Sequence, residues 1–312
     1  MKPLGLHVQD YLALRRRLGF KLRNTEQLLR QFARFAKENG TSRLTTRLVV
    51  RWATRRPNSQ AVTLAARYRT ARLFALYLSG LDSRVEVPPA GLLPCRKDRR
   101  APYIYSDREV VCLMREAASL PSPKGLRGPT LSTLIGLLAV TGLRIGEAIR
   151  LGRDDVDLPH AMLTIDHAKG YRTRLVPIHA STCEALRRFE RLRDRLCPQA
   201  KCQNFFISEQ GTRLNDTRVR AWFGTASRHI GLRGPHDTRG PRLHDFRHRF
   251  TVKALLRWYR TDKDVEVHMP ELSTYLGHLH VSGTYWYLSA VPELLRQATR
   301  RWERHQKGGH LS

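Results

Sequence analysis

The sequence predicts a mainly α-helical protein with one small antiparallel β-sheet, divided into an N-terminal helical domain and a larger C-terminal domain. Three observations predict this. Apolar residues recur at helical spacing through most of the chain. Residues 162–177 change character and read as two short β-prone runs around a glycine-containing turn. A basic, proline-bounded stretch near residue 95 interrupts the periodicity and separates the two parts.

The N-terminal elements follow in order. Residues 5–40 carry helical periodicity through Leu12, Leu14, Leu18, Leu28, Leu29, Phe32 and Phe35, and Gly40 closes the pattern. Thr41-Ser42 opens another that runs through Leu48, Val49, Val50 and Trp52. A further segment from about Ser59 to Gly80 carries Val62, Leu64, Ala65, Tyr68, Leu73, Phe74, Leu76 and Tyr77. Residues 1–88 thus form a unit of about four helices, a pattern that a generic helical interaction domain would also show. Val87-Pro88-Pro89 then stops helix formation, and residues 89–104 form a basic linker. Such a linker either follows a polyanion or is a merely solvated connector.

Residues 105–312 form the second domain. From Ser106 the periodicity resumes, with Asp107 and Glu109 supplying acidic residues to a first turn. The run from Leu131 to Leu143 reads as a buried helix ending at Thr141-Gly142, so Arg144 stands where a new helix begins. Met162-Leu163-Thr164-Ile165 and Thr173-Arg174-Leu175-Val176-Pro177 flank His167-Ala168-Lys169-Gly170-Tyr171, a β-hairpin with Lys169 at its tip. Helices return from Thr182, and Ala290 to Trp302 is amphipathic.

Bulk composition narrows the function. The 312 residues suffice for two domains with cores of their own, and 41% hydrophobic content argues against disorder. The formal net charge is +29, from 56 Lys+Arg against 27 Asp+Glu. Roughly 2–8 charges suffice to keep a small domain soluble, so a polyanionic partner, DNA or RNA, is the economical explanation. Residues 1–88 carry a net +13 and the remainder +16, so both domains attract phosphate. The five cysteines (Cys95, Cys112, Cys183, Cys197, Cys202) form no CxxC pair, which suits reduced structural thiols in a cytoplasmic protein and offers no zinc pattern. The N-terminus lacks the apolar core of a signal peptide, and no stretch approaches the roughly 20 apolar residues that span a bilayer. No membrane association is expected.

Four motifs in the C-terminal domain carry candidate chemistry. They are Thr141-Gly142-Leu143-Arg144-Ile145-Gly146-Glu147, Arg242-Leu243-His244-Asp245-Phe246-Arg247-His248, Leu276-Gly277-His278, and Tyr287 nine residues after His278. Covalent cleavage of a phosphodiester needs a nucleophile, cationic donors for the non-bridging oxygens, and an acid for the leaving oxygen. Arg144 and Arg247 suit the donors, because guanidinium stays charged and its planar fork matches two phosphate oxygens. His244 and His278 can donate to the same phosphate or shuttle a proton. Glu147 sits one helical turn from Arg144 and can orient it or another basic site residue, and His248 is a supporting candidate. Lys169 is the only lysine in residues 125–200. A lysine among other cations can be shifted down and give up a proton, which arginine cannot. Tyr285 and Tyr287 project differently from a helix, so they cannot both occupy one site. Taken singly, each residue has a plainer reading as a surface arginine, a structural histidine, a turn lysine or a packing tyrosine.

The order and contexts of these motifs resemble the tyrosine recombinases, or phage integrase family, over nearly the whole chain. The resemblance implies a helical core-binding domain and a catalytic domain that close as a clamp on double-stranded DNA. It selects Tyr287 as nucleophile through the nine-residue spacing. It also implies a 3′-phosphotyrosyl intermediate and a free 5′-hydroxyl, with the hairpin lysine protonating the leaving oxygen. Rejoining then needs no ATP, and neither cofactor nor metal is expected. It further implies a homotetramer on two duplexes, C-terminal segments docking between neighbours, and room for accessory recombinases. Residues Trp286 to Glu293 look more like transposon-carried integrases than Xer enzymes, and no extra arm-binding domain is expected. Two alternatives stand beside this reading. A type IB topoisomerase shares the tyrosine chemistry but works as a monomer, and a non-catalytic DNA-organising protein would show a broken set, whereas none of the six positions is missing.

Overall fold

The computed structural model describes residues 3–41, 43–93, 101–166, 173–237, 239–261, 263–278 and 280–308. The chain divides into two compact units, Met1–Arg100 and Ala101–Ser312. The class is the expected one, helical with one small antiparallel sheet.

Unit 1 holds α1 (Leu4–Arg17), α2 (Arg23–Glu38), α3 (Thr46–Thr54) and α4 (Ala61–Ser79). Their apolar faces close on Leu29, Phe32, Val49, Trp52 and Phe74, all fully buried. Phe32 meets Trp52 edge-on at 5.1 Å between ring centres. The periodicity of residues 5–40 is divided between two helices, which brings the unit to the expected four. Gly19 at φ +85° and Leu22 at φ +39° take the chain out of the right-handed region between them. Helical spacing carries no record of such a break when both helices face the same core. Arg47 and Arg51 of α3 and its C-cap residue Arg55, four residues apart, are all exposed. The start of the expected linker is tied down: Pro88 and Pro89 carbonyls accept from Arg72 Nε and the Tyr68 hydroxyl.

Unit 2 opens with α5 (Asp107–Ala118), whose first turn is closed by a reciprocal Ser106–Glu109 capping box. Then come α6 (Arg127–Thr141) and the single-turn α7 (Ile145–Ala148). The sheet follows, with β1 (Val156–Asp157), β2 (Met162–Ile165) and β3 (Arg174–Pro177) in that order and antiparallel. β1, too short to show alternation, was not expected from sequence. β2 and β3 pair with Met162 opposite Pro177 and Ile165 opposite Arg174. Lys169, between them, lies outside the described residues. The remaining helices are α8 (Ala180–Leu196), α9 (Asp216–His229), α10 (Asp245–Arg260), α11 (Val265–Leu276), α12 (Ser282–Ala290) and α13 (Pro292–Gly308).

Two apolar clusters fill unit 2. The larger centres on Leu131, Leu134, Ile135 and Leu138 of α6, and extends to the sheet through Leu163 and Val176. The smaller joins α10, α11, α12 and α13 through Val252, Leu255, Met269, Leu276, Tyr287 and Leu294. α10 contributes to both, with Phe246 in one and Val252 in the other. Its first turn therefore sits at their seam, and the candidate site gathers there. Among the described residues no helix is long and apolar enough to cross a membrane.

Candidate active site

Two helix ends build the floor of the site. α6 ends at Gly142 and α11 at Gly277, both left-handed, with φ +63° and +66°. At Gly142 the need for glycine is double, because a Cβ would lie 2.7 Å from the Phe250 ring. The carbonyls at these C-terminal ends carry partial negative charge and lack helical partners, so they favour cations. Two arginines take them. Arg247 donates from Nη1 to the Gly142 carbonyl at 3.1 Å and from Nη2 to the Leu276 carbonyl at 2.6 Å. Arg144 donates from Nη2 to the Gly277 carbonyl at 3.1 Å.

The two arginines differ in exposure. Arg247 is 1% exposed, and burial together with the nearby Arg144 charge pulls its guanidinium down to about 9, still a cation at neutral pH. Arg144, at the N-cap of α7, leaves 37% of its side chain open to an incoming anion. Glu147 fixes its orientation: one carboxylate oxygen accepts Arg144 Nη1 at 2.8 Å and the other the Arg144 backbone N–H at 3.0 Å. Burial alone would raise the Glu147 carboxyl, but Arg174 and Arg144 override it and hold it down to about 2.

The histidines and the tyrosine complete the set. His244 is the N-cap residue of α10 and Arg247 lies in its first turn, so the two are near neighbours. The His244 and His248 rings meet edge-on at 4.8 Å. His248 Nδ1 lies 2.6 Å from the Tyr287 hydroxyl. His278 Nδ1 lies 2.8 Å from the Thr284 hydroxyl, which orients that ring from the start of α12. All three histidines are held down to about 4, first by burial and then by the charges around them, so they are neutral at pH 7. For His278 those charges are Arg247 and Arg144, which sets it beside the arginine pair. Tyr287 is 3% exposed, and burial raises its hydroxyl against the opposing pull of Arg247. Tyr285, two residues earlier, is 43% exposed on the other side of α12.

The structure therefore brings together Arg144, Glu147, His244, Arg247, His248, His278 and Tyr287. Two guanidinium groups can bind non-bridging oxygens, neutral imidazoles can accept or relay protons, and a tyrosine hydroxyl stands against one imidazole. Among the described residues no group of three or more His, Cys, Asp or Glu side chains could hold a metal ion. Sequence reasoning missed Arg174, Thr284 and Asp245. Asp245 is 2% exposed, takes Arg242 Nη2 at 3.0 Å, and lies 3.8 Å from His248 Nε2. Arg174 carried a signal after all: in β3 it alternates with the buried Val176, so a strand that turns Val176 inward turns Arg174 inward too.

Residues 106–293 match the pattern of the phage integrase family. A Sinorhizobium fredii protein named as an integrase/recombinase, y4rB, is 46% identical over 301 residues, covering 95% of this chain and 96% of its own. The tyrosine recombinase XerD of Ralstonia nicotianae is 29% identical over 261 residues, covering 82% of this chain and 78% of its own. Among solved structures, the Tn1549 transposon integrase in complex with transposon right end DNA superposes with a TM-score of 0.66. It is 16% identical and covers 95% of this chain and 98% of its own, which speaks to the fold.

Proposed function

The chain belongs to the phage integrase family, the tyrosine recombinases, and from that premise we propose which of its residues carry the reaction. It is a site-specific recombinase that cleaves and rejoins DNA. Arg144 and Arg247 hold the scissile phosphate. Tyr287 attacks phosphorus and forms a 3′-phosphotyrosyl link, and the P–O5′ bond breaks. Lys169 supplies the proton that the leaving 5′-oxygen takes up, and His244 and His278 donate to the phosphate oxygens. Rejoining reverses the sequence with a 5′-hydroxyl from a partner duplex, so the bond energy is kept in the tyrosyl link.

One observation supports this reading most directly. Adjacent residues of α10 serve two halves of the site, Arg247 anchored among the carbonyls beside Arg144 and His248 on the Tyr287 hydroxyl. A partner for the nucleophile and a phosphate cradle built on one helical turn share a fixed separation. Glu147 supports Arg144 and His248 supports Tyr287 in this scheme. Division of labour also follows the charge, with residues 1–88 contributing a net +13 toward duplex contacts. Assembly as a homotetramer on two duplexes is part of the proposal, and α13 leaves Leu295 and Trp302 exposed on its surface for contact between copies.

The test is capture of the intermediate. Incubated with a nicked substrate that loses its 5′-hydroxyl fragment after cleavage, the full chain accumulates a protein–DNA adduct, and peptide mapping places the nucleotide on Tyr287. An adduct mapped to another residue would overturn the assignment.

A further inference from the structure

Strand β3 carries an arginine on the same inward face as its buried Val176. Leu175 is 61% exposed, while the side chain of its neighbour Arg174 is only 9% exposed. Turning an arginine inward costs free energy unless the buried charge is compensated. The compensation is Glu147. Arg174 Nη2 meets one Glu147 oxygen at 2.8 Å and Nη1 meets the other at 3.5 Å. These are the oxygens that also take the Arg144 backbone N–H and Arg144 Nη1. One buried carboxylate, 3% exposed at its side chain, is therefore shared between two arginines from different elements.

Sharing changes what Arg144 can offer. A carboxylate paired with Arg144 alone would cancel its charge and compete with a phosphate for the same donors. Two arginines on one carboxylate leave the trio at net +1, and the partly open Arg144 carries the unsatisfied attraction. Bidentate contact with Arg174 also removes the freedom of the Glu147 side chain to swing onto the phosphate-facing edge of Arg144.

We propose that Arg174 is a positioning residue for strand cleavage: it holds Glu147 so that Arg144 is both oriented and left electropositive toward the scissile phosphate. This rests on the reading of Arg144 as a phosphate-binding group.

The experiment is a double-mutant cycle on the full chain, read as single-turnover cleavage of the nicked substrate. Arg174→Ala slows cleavage by about tenfold or more while DNA affinity stays within about threefold, since a directly acting donor is typically worth roughly 10²–10³-fold. Arg174→Lys recovers part of the rate, because it keeps the charge and loses the fork. In the Arg144→Ala background, Arg174→Ala adds little further loss, because its route of action is already gone. A neutral methylphosphonate at the scissile position narrows the gap between Arg174→Ala and the unaltered protein, as it needs less cationic help. Should Arg174→Ala not fold, the lysine variant carries the same cycle. The proposal is overturned if the Arg174 substitutions cost the same factor with and without Arg144, or leave cleavage unchanged. If Arg144→Ala itself cleaves normally, it is the reading of Arg144 that falls instead.

Discussion

The Nδ1 atom of His248 lies 2.6 Å from the hydroxyl of Tyr287, and both residues are buried. With burial raising the phenol and lowering the imidazole, neither is charged at neutral pH, and the contact is a neutral O–H···N bond. The tautomer that accepts at Nδ1 carries its proton on Nε2, on the side of the Asp245 carboxylate 3.8 Å away. The Tyr287 hydroxyl thus rests on a neutral imidazole that has a carboxylate on its far side. His248→Ala is expected to slow adduct formation by about 10²-fold or more, within the range of general-base assistance, with partial recovery on adding imidazole. Unchanged single-turnover cleavage by a folded His248→Ala protein would remove His248 from the reaction.

Tyr287→Phe deletes one buried hydroxyl and leaves the ring in its cluster. The covalent adduct should vanish, while affinity for duplex DNA in a gel-shift titration stays nearly unchanged. Tyr285→Phe, altering an exposed ring edge, should cleave normally. An adduct that survives the first change and disappears with the second would move the nucleophile.

Acid should destabilise the protein through the three histidines. In the unfolded chain each has its ordinary affinity for a proton, near 6.5, and in the folded state each is held down to about 4. The unfolded state therefore binds more protons as pH falls, so the stability present above about pH 6.5 is lost as pH drops toward 4. Thermal melting measured across that window should show Tm falling with pH, and His248→Gln should make the fall shallower. A Tm independent of pH between 6.5 and 4 would contradict the buried, neutral state of these rings.

Much of this site could be read along the chain, because its key positions are set by local rules. Thr141-Gly142 and Leu276-Gly277 announce helix ends, and the residues just beyond them, Arg144 and His278, are held at fixed offsets from those ends. The pairing of residues 162–165 with 174–177 likewise follows from alternation and a turn. What local pattern could not supply is which partner wins across long separations. Arg174 faces inward because Glu147 waits there, 27 positions earlier in the chain. Tyr287 is buried because α10 brings His248 beneath it from 39 positions away. The break at residues 18–22 was hidden for the opposite reason: both flanking helices face one core, so the apolar rhythm continues across it.

Salt should weaken DNA binding steeply. A net charge of +29 implies many phosphate contacts and the release of condensed counterions, with a log–log slope near −0.9 for each phosphate neutralised. Replacing the exposed Arg47, Arg51 and Arg55, on α3 and at its C-cap, together with alanine should flatten that slope by up to about three units if this row meets the backbone. Affinity that does not change between low and physiological salt would count against an electrostatic grip on the duplex.

Lys169→Ala should slow cleavage of a normal phosphodiester far more than cleavage of one whose 5′-bridging oxygen is replaced by sulfur. A thiolate departs without protonation, so the loss of an acid matters little there, whereas general acid catalysis is typically worth about 10²–10⁴-fold on the oxygen substrate. Arg144→Ala is the control: it removes stabilisation of the non-bridging oxygens, which sulfur at the bridging position does not restore. Both reactions should proceed in EDTA, since no step of the scheme draws on a metal ion. If Lys169→Ala is equally slow on both substrates, the lysine contacts phosphate or groove, and the acid must be sought at His244, which lies in the same cluster against His248.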